Sequence, residues 1–273
     1  IQNYVNKNYS DIKCHFIMQT LGKGTAHAIY LAKDNVEPDE AILIVLGDSI
    51  IEANLKEIIL KKETCLGVKK VNDPRIFGVA ELKEDGKVKK LVEKPTIPKS
   101  NLALVGLYFI RKASILMDSI KTIVENDIRS QNEFHLTDAL QNMLEQGEHI
   151  SVFNVESWFD CGKKSIILQT NANLLRNTNY QKVPDQIYAN NNIVVQPVNI
   201  ADNAKISNSI IGPNVCIGEE TEVNDSIIKN TIIAANAKLE NIVLEDSLLG
   251  NDSTLIGSKH SLNIGDNAEI NFS

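Results

Sequence analysis

The chain is poor in cysteine and has no framework built from it. Cys14, Cys65, Cys161 and Cys216 are its only four in 273 residues, and no two form a C-x-x-C pair. A disulfide scaffold or zinc-knuckle protein is therefore excluded, and reduced thiols of a cytoplasmic protein are expected. No apolar stretch is long enough to span a bilayer, and no signal-peptide pattern stands out. Positive charge is not in surplus either. A net charge of −7 argues against a general nucleic-acid binder, though a locally basic pocket for a nucleotide remains open. No Ser-His-Asp or Cys-His set suggests a protein nucleophile. His27 and His135 lie in segments of helical pattern, where packing or surface roles are expected. What is present describes a soluble globular protein, with 43% hydrophobic and 23% charged residues. The length suits one large domain or two smaller ones.

A strand that ends in an aspartate is the most informative local feature. Ala41 to Leu46 reads Ala-Ile-Leu-Ile-Val-Leu, and Gly47-Asp48 follows at once. An unbroken apolar run predicts a strand buried on both faces of a helix-covered parallel sheet. Ligands of such sheets sit beyond the carboxyl ends of the strands, which would make Asp48 a metal or substrate ligand. An ordinary turn-forming aspartate explains the residue equally well on this evidence.

Two regimes follow one another along the chain. Through residue 177, strand patterns (Lys13 to Gln19, Thr64 to Lys69, Phe77 to Glu81, Val88 to Glu93, Leu102 to Ile110, Ile150 to Val155) alternate with helix patterns. Helices are expected at Thr25 to Lys33, Asn54 to Lys62, Ile115 to Glu125, Phe134 to Glu145 and Ser165 to Leu175. From residue 178 to 273 a second domain is expected. There, beyond Asn190, aliphatic residues recur every five or six positions: Ile200, Ile206, Ile211, Ile217, Val223, Ile228, Ile233, Leu239, Leu244, Leu249 and Leu255. Asn, Asp, Gly, Ser and Ala fill the intervals. So short a period fits neither helix nor hairpin meander. It fits a parallel β-helix whose rungs each take three such units.

Several short motifs in the first regime could carry chemistry. Gln19-Thr-Leu-Gly22-Lys-Gly24-Thr25-Ala places a Gly-containing loop between a strand pattern and a helix pattern, suited to a phosphate or a flat base. Gly78, after Phe77, would let a ligand approach the backbone. Glu93-Lys94-Pro95 pairs a hydroxyl acceptor with a cation for a phosphate. Trp158-Phe159-Asp160-Cys161-Gly162 brings a second strand-end aspartate. Each of these alone is as well explained by a turn or a solvated strand end.

In this order, and with Leu46-Gly47-Asp48 and Val105-Gly106-Leu107-Tyr108, the set resembles the sugar-1-phosphate nucleotidyltransferases, or nucleotide-sugar pyrophosphorylases. The likeness is greatest to the long form of glucose-1-phosphate thymidylyltransferase, and it covers nearly the whole chain. It implies a Rossmann-like mixed-sheet α/β domain, amino-terminally truncated, followed by a left-handed parallel β-helix that mediates homo-oligomers. Asp48 and Asp160 match the pair that holds a catalytic Mg²⁺, a hard cation suited to carboxylate oxygens and substrate phosphates. Gln19, Gly24 and Thr25 match the base-reading loop. Gly78 and Gly106 match backbone that lines the sugar pocket, Glu93 an acceptor of sugar hydroxyls, and Lys94 the binder of the sugar phosphate. The implied reaction joins a nucleoside triphosphate to a sugar 1-phosphate and releases pyrophosphate. A Gln at position 19 favours dTTP or UTP through the imide edge, and glucose 1-phosphate is the default sugar.

The family also opens with a Gly-rich loop that holds the triphosphate, and that loop is not in this sequence. Roughly 60–70 residues, about two βα units, are expected to precede Ile1 in a complete enzyme, so weak turnover is expected of the chain alone. Three other readings stand beside the first. One is a mannose-1-phosphate guanylyltransferase. Another is a hexapeptide-repeat acyltransferase, for which His260 is the one repeat-region histidine. The third is a non-catalytic regulatory or assembly relative.

Overall fold

The structure is a computed structural model and describes residues 1–258. The chain packs into two compact units, the first Ile1–Trp158 and the second from Phe159 onward.

The first unit is built around one strand. Helix α1 (Gln2–Asn8) and the short helix α2 (Thr25–Tyr30) precede strands β1 (Ile42–Val45) and β2 (Ser49–Glu52). Then come α3 (Leu55–Leu60), β3 (Cys65–Lys70), β4 (Gly78–Leu82), β5 (Val88–Glu93) and β6 (Leu102–Ile110). Helices α4 (Ala113–Glu125) and α5 (Leu136–Glu145) and strand β7 (Ser151–Asn154) complete it. The main sheet runs β5-β4-β6-β3-β7, with β1 also paired to β6. It is mixed: β3 runs parallel to β7, and the pairings β4–β5, β4–β6, β3–β6 and β1–β6 are antiparallel. Since β3 occupies one edge of β6 along its length, β4 and β1 share the other.

Strand β6 is buried from Ala103 to Ile110 because both its faces are covered. Leu104, Tyr108 and Ile110 pack with Leu116, Ile120 and Ile123 of α4 and with Leu136, Leu140 and Met143 of α5. The alternate residues Val105, Leu107 and Phe109 pack with Ile58 of α3, Cys65, Phe153 and Val155. This gives the Rossmann-like layering of a sheet between helices.

Two strand expectations are corrected. Ala41 to Leu46 does not lie inside a parallel sheet. Strand β1 is antiparallel to β6 and alternates, with Ile42 and Ile44 turned to the core and Leu43 and Val45 exposed. It has a single strand neighbour among the described residues, so one edge is unpaired, and only one face of its apolar run is covered. Lys13 to Gln19 is not a strand either. A strand exists only through its ladder, and this segment makes no backbone pairing with any described residue.

The second unit begins with strand β8 (Ser157–Asp160), whose last two residues belong to it, and helix α6 (Lys164–Leu175). Asn171 of that helix meets the repeat region: its amide donates to the Asn214 carbonyl at 3.2 Å, and its oxygen accepts from Cys216 Sγ at 2.9 Å. Burial pushes the Cys216 thiol up to about 11. Beyond lies a left-handed parallel β-helix of short strands in three four-stranded sheets. Register partners sit 17 residues apart in the first turns and 16 in the later ones, or three units of five or six. The aliphatic positions stack into three inward columns. They are Ile200-Ile217-Ile233-Leu249, Ile206-Val223-Leu239-Leu255 and Val194-Ile211-Ile228-Leu244.

The polar residues between them have defined tasks. Asn208, Asp225 and Asn241 turn one corner with positive φ, which short Asx side chains tolerate. The next residue seals the rung: buried Ser226 accepts the Ser226 N–H's neighbour-rung counterpart, Ile242 N–H, at 3.3 Å and donates to the Asn224 carbonyl at 2.7 Å. Thr231 does the same for Ser247 N–H and the Lys229 carbonyl. The Ser-Ile-Ile and Thr-Ile-Ile repeats are thus a hydroxyl that joins rungs followed by an outward and an inward aliphatic. Replacing Ser226 with Ala strips the part-buried Ile242 N–H of its partner and leaves the Asn224 carbonyl with the Asn241 N–H alone. It should lower stability by about 1–3 kcal/mol, read as a shifted urea midpoint.

Candidate active site

A bulge in β6 shapes the site in the first unit. Leu66 faces Tyr108 but Val68 faces Leu104, so β6 carries extra residues opposite Gly67. Gly106 lies within the bulge with φ +83°, a backbone state that a β-carbon disfavours. Its carbonyl accepts the Leu46 N–H at 2.8 Å, and a Cβ there would come within 3.0 Å of the Leu46 side chain. This contact anchors the end of β1, two residues before Asp48. Asp48 itself is exposed, and its carboxylate has no ion-pair partner among the described residues.

Tyr108 was not singled out as a site residue in the sequence, yet it ties the motifs together. Its hydroxyl is held well above the usual phenol range, first by burial, then by the negative charges of Glu93 and Asp48. Glu93 ends β5 with its side chain only 9% exposed. Thr137 Oγ1 donates to Glu93 Oε2 at 2.6 Å. Lys94 Nζ stands 3.9 Å from Glu93 Oε1 and remains 35% exposed, reaching outward. Lys94 also has φ +41° immediately before a proline, where extended backbone is the rule. Its N–H is held by the Phe77 carbonyl at 3.0 Å. Strained backbone of this kind concentrates at functional sites. Gly78 lets this cluster pack against the backbone: a Cβ would meet Thr137 Oγ1 at 2.7 Å and Glu93 Oε2 at 3.0 Å.

The loop holding Gln19, Gly24 and Thr25 is stitched to the segment just before α5. Lys23 accepts from Phe134 N–H, and Phe134 accepts from Ala26 N–H, both at 2.9 Å. The Thr25 hydroxyl accepts the Leu136 N–H at 2.9 Å, so it serves as a cap on α5. Gln19 Nε2 donates to the Gly24 carbonyl at 3.1 Å and lies 3.0 Å from His27 Nδ1. Its amide nitrogen is thus engaged within the protein, and its Oε1 has no partner among the described residues. His27 is therefore a partner of Gln19, and His135 lies beside Glu93, a neighbourhood that helical pattern could not reveal.

Around Trp158, the Phe77 ring stands edge-on at 4.9 Å, and the indole N–H points to Ser49 Oγ at 3.5 Å. The first unit therefore gathers Gly78, Glu93, Lys94, Gly106 and Tyr108, with Asp48 on the adjoining turn. Asp160 belongs to the second unit, half-exposed, its Oδ1 accepting the Gly162 N–H at 3.3 Å. Among the described residues, no group of three His, Cys, Asp or Glu side chains is placed to hold a metal. His260 lies outside the described residues.

The model of the family described as "Nucleotidyl transferase" matches residues 1–177, and that described as "GlmU-like, C-terminal hexapeptide" matches residues 178–268. The chain belongs to the nucleotidyl transferase family of enzymes and carries a GlmU-like hexapeptide domain behind it. It is 27% identical to the glucose-1-phosphate thymidylyltransferase of Streptomyces antibioticus, over 93% of this chain and 78% of that one. It is 32% identical to the bifunctional protein GlmU of Methanococcus vannielii, over 89% of this chain and 63% of that one. A Bacillus anthracis crystal structure, of a protein described as a glucose-1-phosphate thymidylyltransferase in complex with sucrose, superposes with a TM-score of 0.54. That match has 26% identity and covers 67% of this chain and 74% of the other.

The bulge generates a test. Gly106→Ala should cost about 1–3 kcal/mol from the left-handed backbone alone and push Leu46 away. Thermal unfolding should show the loss. A melting temperature equal to wild type would remove Gly106 as the anchor of β1.

Proposed function

We propose that this protein transfers a nucleotidyl group from a nucleoside triphosphate to a sugar 1-phosphate, releasing pyrophosphate and a nucleotide sugar. The favoured pair is dTTP or UTP with glucose 1-phosphate. The observation that carries the reading is the Glu93–Lys94 pair: a buried carboxylate fixed by Thr137 beside an outward ammonium. Glu93 would accept sugar hydroxyls with the oxygen that Thr137 leaves open. Lys94 would hold the sugar phosphate and neutralise charge as one of its oxygens attacks the α-phosphorus. Gly78 and Gly106 would line the sugar pocket, and Gln19, through its Oε1, and Gly24 would read the base. The chain supplies no nucleophile, so its part is alignment and charge compensation. When bound, Mg²⁺ would add charge neutralisation at the phosphates, with the exposed Asp48 carboxylate as a ligand. A cytoplasmic setting fits substrates of this kind, and no helix among the described residues is long and apolar enough to cross a membrane.

A pyrophosphate-release assay with Mg²⁺, a panel of triphosphates and a panel of sugar phosphates tests the reading. The expected maximum is dTTP or UTP with glucose 1-phosphate. Lys94→Met should lower turnover by about 10²-fold or more. A maximum with GTP and mannose 1-phosphate would change the assignment, and unchanged turnover in the Lys94 variant would remove its role.

We also propose that the β-helix joins copies of the chain. Ile193, Ile210, Ile227 and Val243 are register partners, one per rung, and form an aliphatic column on the outside of one sheet. Lys229 and Glu245 flank it on adjacent rungs. A two-fold contact with rungs reversed would set Ile227 on Val243 and Lys229 opposite Glu245, a self-complementary match. Ile227→Lys should shift the protein to a smaller species in sedimentation analysis while its circular dichroism stays unchanged. A wild-type monomer at all concentrations would rule the contact out.

A further inference from the structure

His135 is 8% exposed, and its Nε2 is buried without a hydrogen-bond partner among the described residues. An unsatisfied buried nitrogen is costly and calls for a reason. Its backbone cannot move to relieve this. His135 is the N-cap of α5, its carbonyl accepts the Asp138 N–H at 3.1 Å, and the following N–H is held by Thr25. Only the ring is left to adjust. Nδ1 lies 3.6 Å from Glu93 Oε1, and Nε2 lies 4.0 Å from Glu133 Oε2. Both separations exceed a hydrogen bond, whereas Glu93 Oε2 is already fixed by Thr137. The carboxylate is thus clamped at one oxygen and loosely faced by an imidazole at the other. Contacts of this kind are often long without ligand and tighten once a ligand excludes water.

We propose that His135 is a positioning residue that steadies Glu93 for the hydroxyl groups of a sugar 1-phosphate, closing on Oε1 as the sugar binds. This rests on the reading of Glu93 given above. The neutral ring orients Oε1 and leaves it free to accept from the sugar. The charged groups that face it are Glu93 at the end of β5, Glu133 before the helix and Asp138 on α5. Burial raises the Asp138 carboxyl above its ordinary range.

Calorimetric binding of glucose 1-phosphate and of dTTP, measured separately, tests this. His135→Phe keeps the volume and removes the donor. It should weaken the sugar phosphate about tenfold and leave dTTP within about twofold. His135→Gln restores a donor and should recover sugar-phosphate binding to within about threefold at pH 8. Wild-type affinity in His135→Phe, equal loss of both ligands, or no recovery in His135→Gln would overturn the proposal. If His135→Phe does not fold, His135→Leu makes the same comparison. A Glu93→Gln variant separates the two layers. If it binds like wild type, the reading of Glu93 falls. If it binds weakly while His135→Phe does not, only the role of His135 falls.

Discussion

The first unit depends on β6 and on the bulge inside it. A strand covered on both faces cannot shift register without moving every side chain into packing shaped for another. Leu104, Tyr108 and Ile110 on one face, and Val105, Leu107 and Phe109 on the other, lock it in place. At the bulge the ladder with β3 is interrupted, and Gly106 offers its carbonyl to Leu46 on the other edge. The same bend sets the start of the Tyr108 turn of strand, whose hydroxyl senses both Glu93 and Asp48. One backbone irregularity therefore brings residues from three strand ends within electrostatic reach of each other.

A second framework is polar. The segment Phe134–Thr137 links the loop of Gln19, Gly24 and Thr25 to the pocket of Gly78, Glu93 and Lys94. It does so through backbone bonds on its first side and through Thr137 and His135 on its second. Low exposure makes these bonds count, because a buried carboxylate with one fixed oxygen has little freedom to turn. The β-helix is held differently. Aliphatic columns supply the burial, and Ser and Thr hydroxyls join rung to rung where the corners would leave amides unpaired.

Local pattern made much of this visible. Leu102 to Ile110 is a strand over the expected residues, and α4 and α5 follow their apolar faces. The repeat was legible because each aliphatic position is bounded by the same short polar spacers, and every one of them points inward. The misreadings came from partners. Lys13 to Gln19 has strand character but no neighbour, and Ala41 to Leu46 has a neighbour on one edge only. Thr25 matches a ligand loop in sequence, yet its hydroxyl is spent on capping a helix more than a hundred residues away.

What the sequence alone determined were the features that repeat or run locally: two regimes, the inward columns, the helix faces, and the short motifs that mark the family. Their physical basis is periodic burial, which neighbouring residues encode by themselves. Only the tertiary structure decided which motif residues meet. Tyr108 and His135 gained their places from distant strands and from a helix cap, and Thr137 reaches Glu93 across 44 residues. Contacts of that separation depend on register, bulge and packing acting together, and no window of sequence contains them.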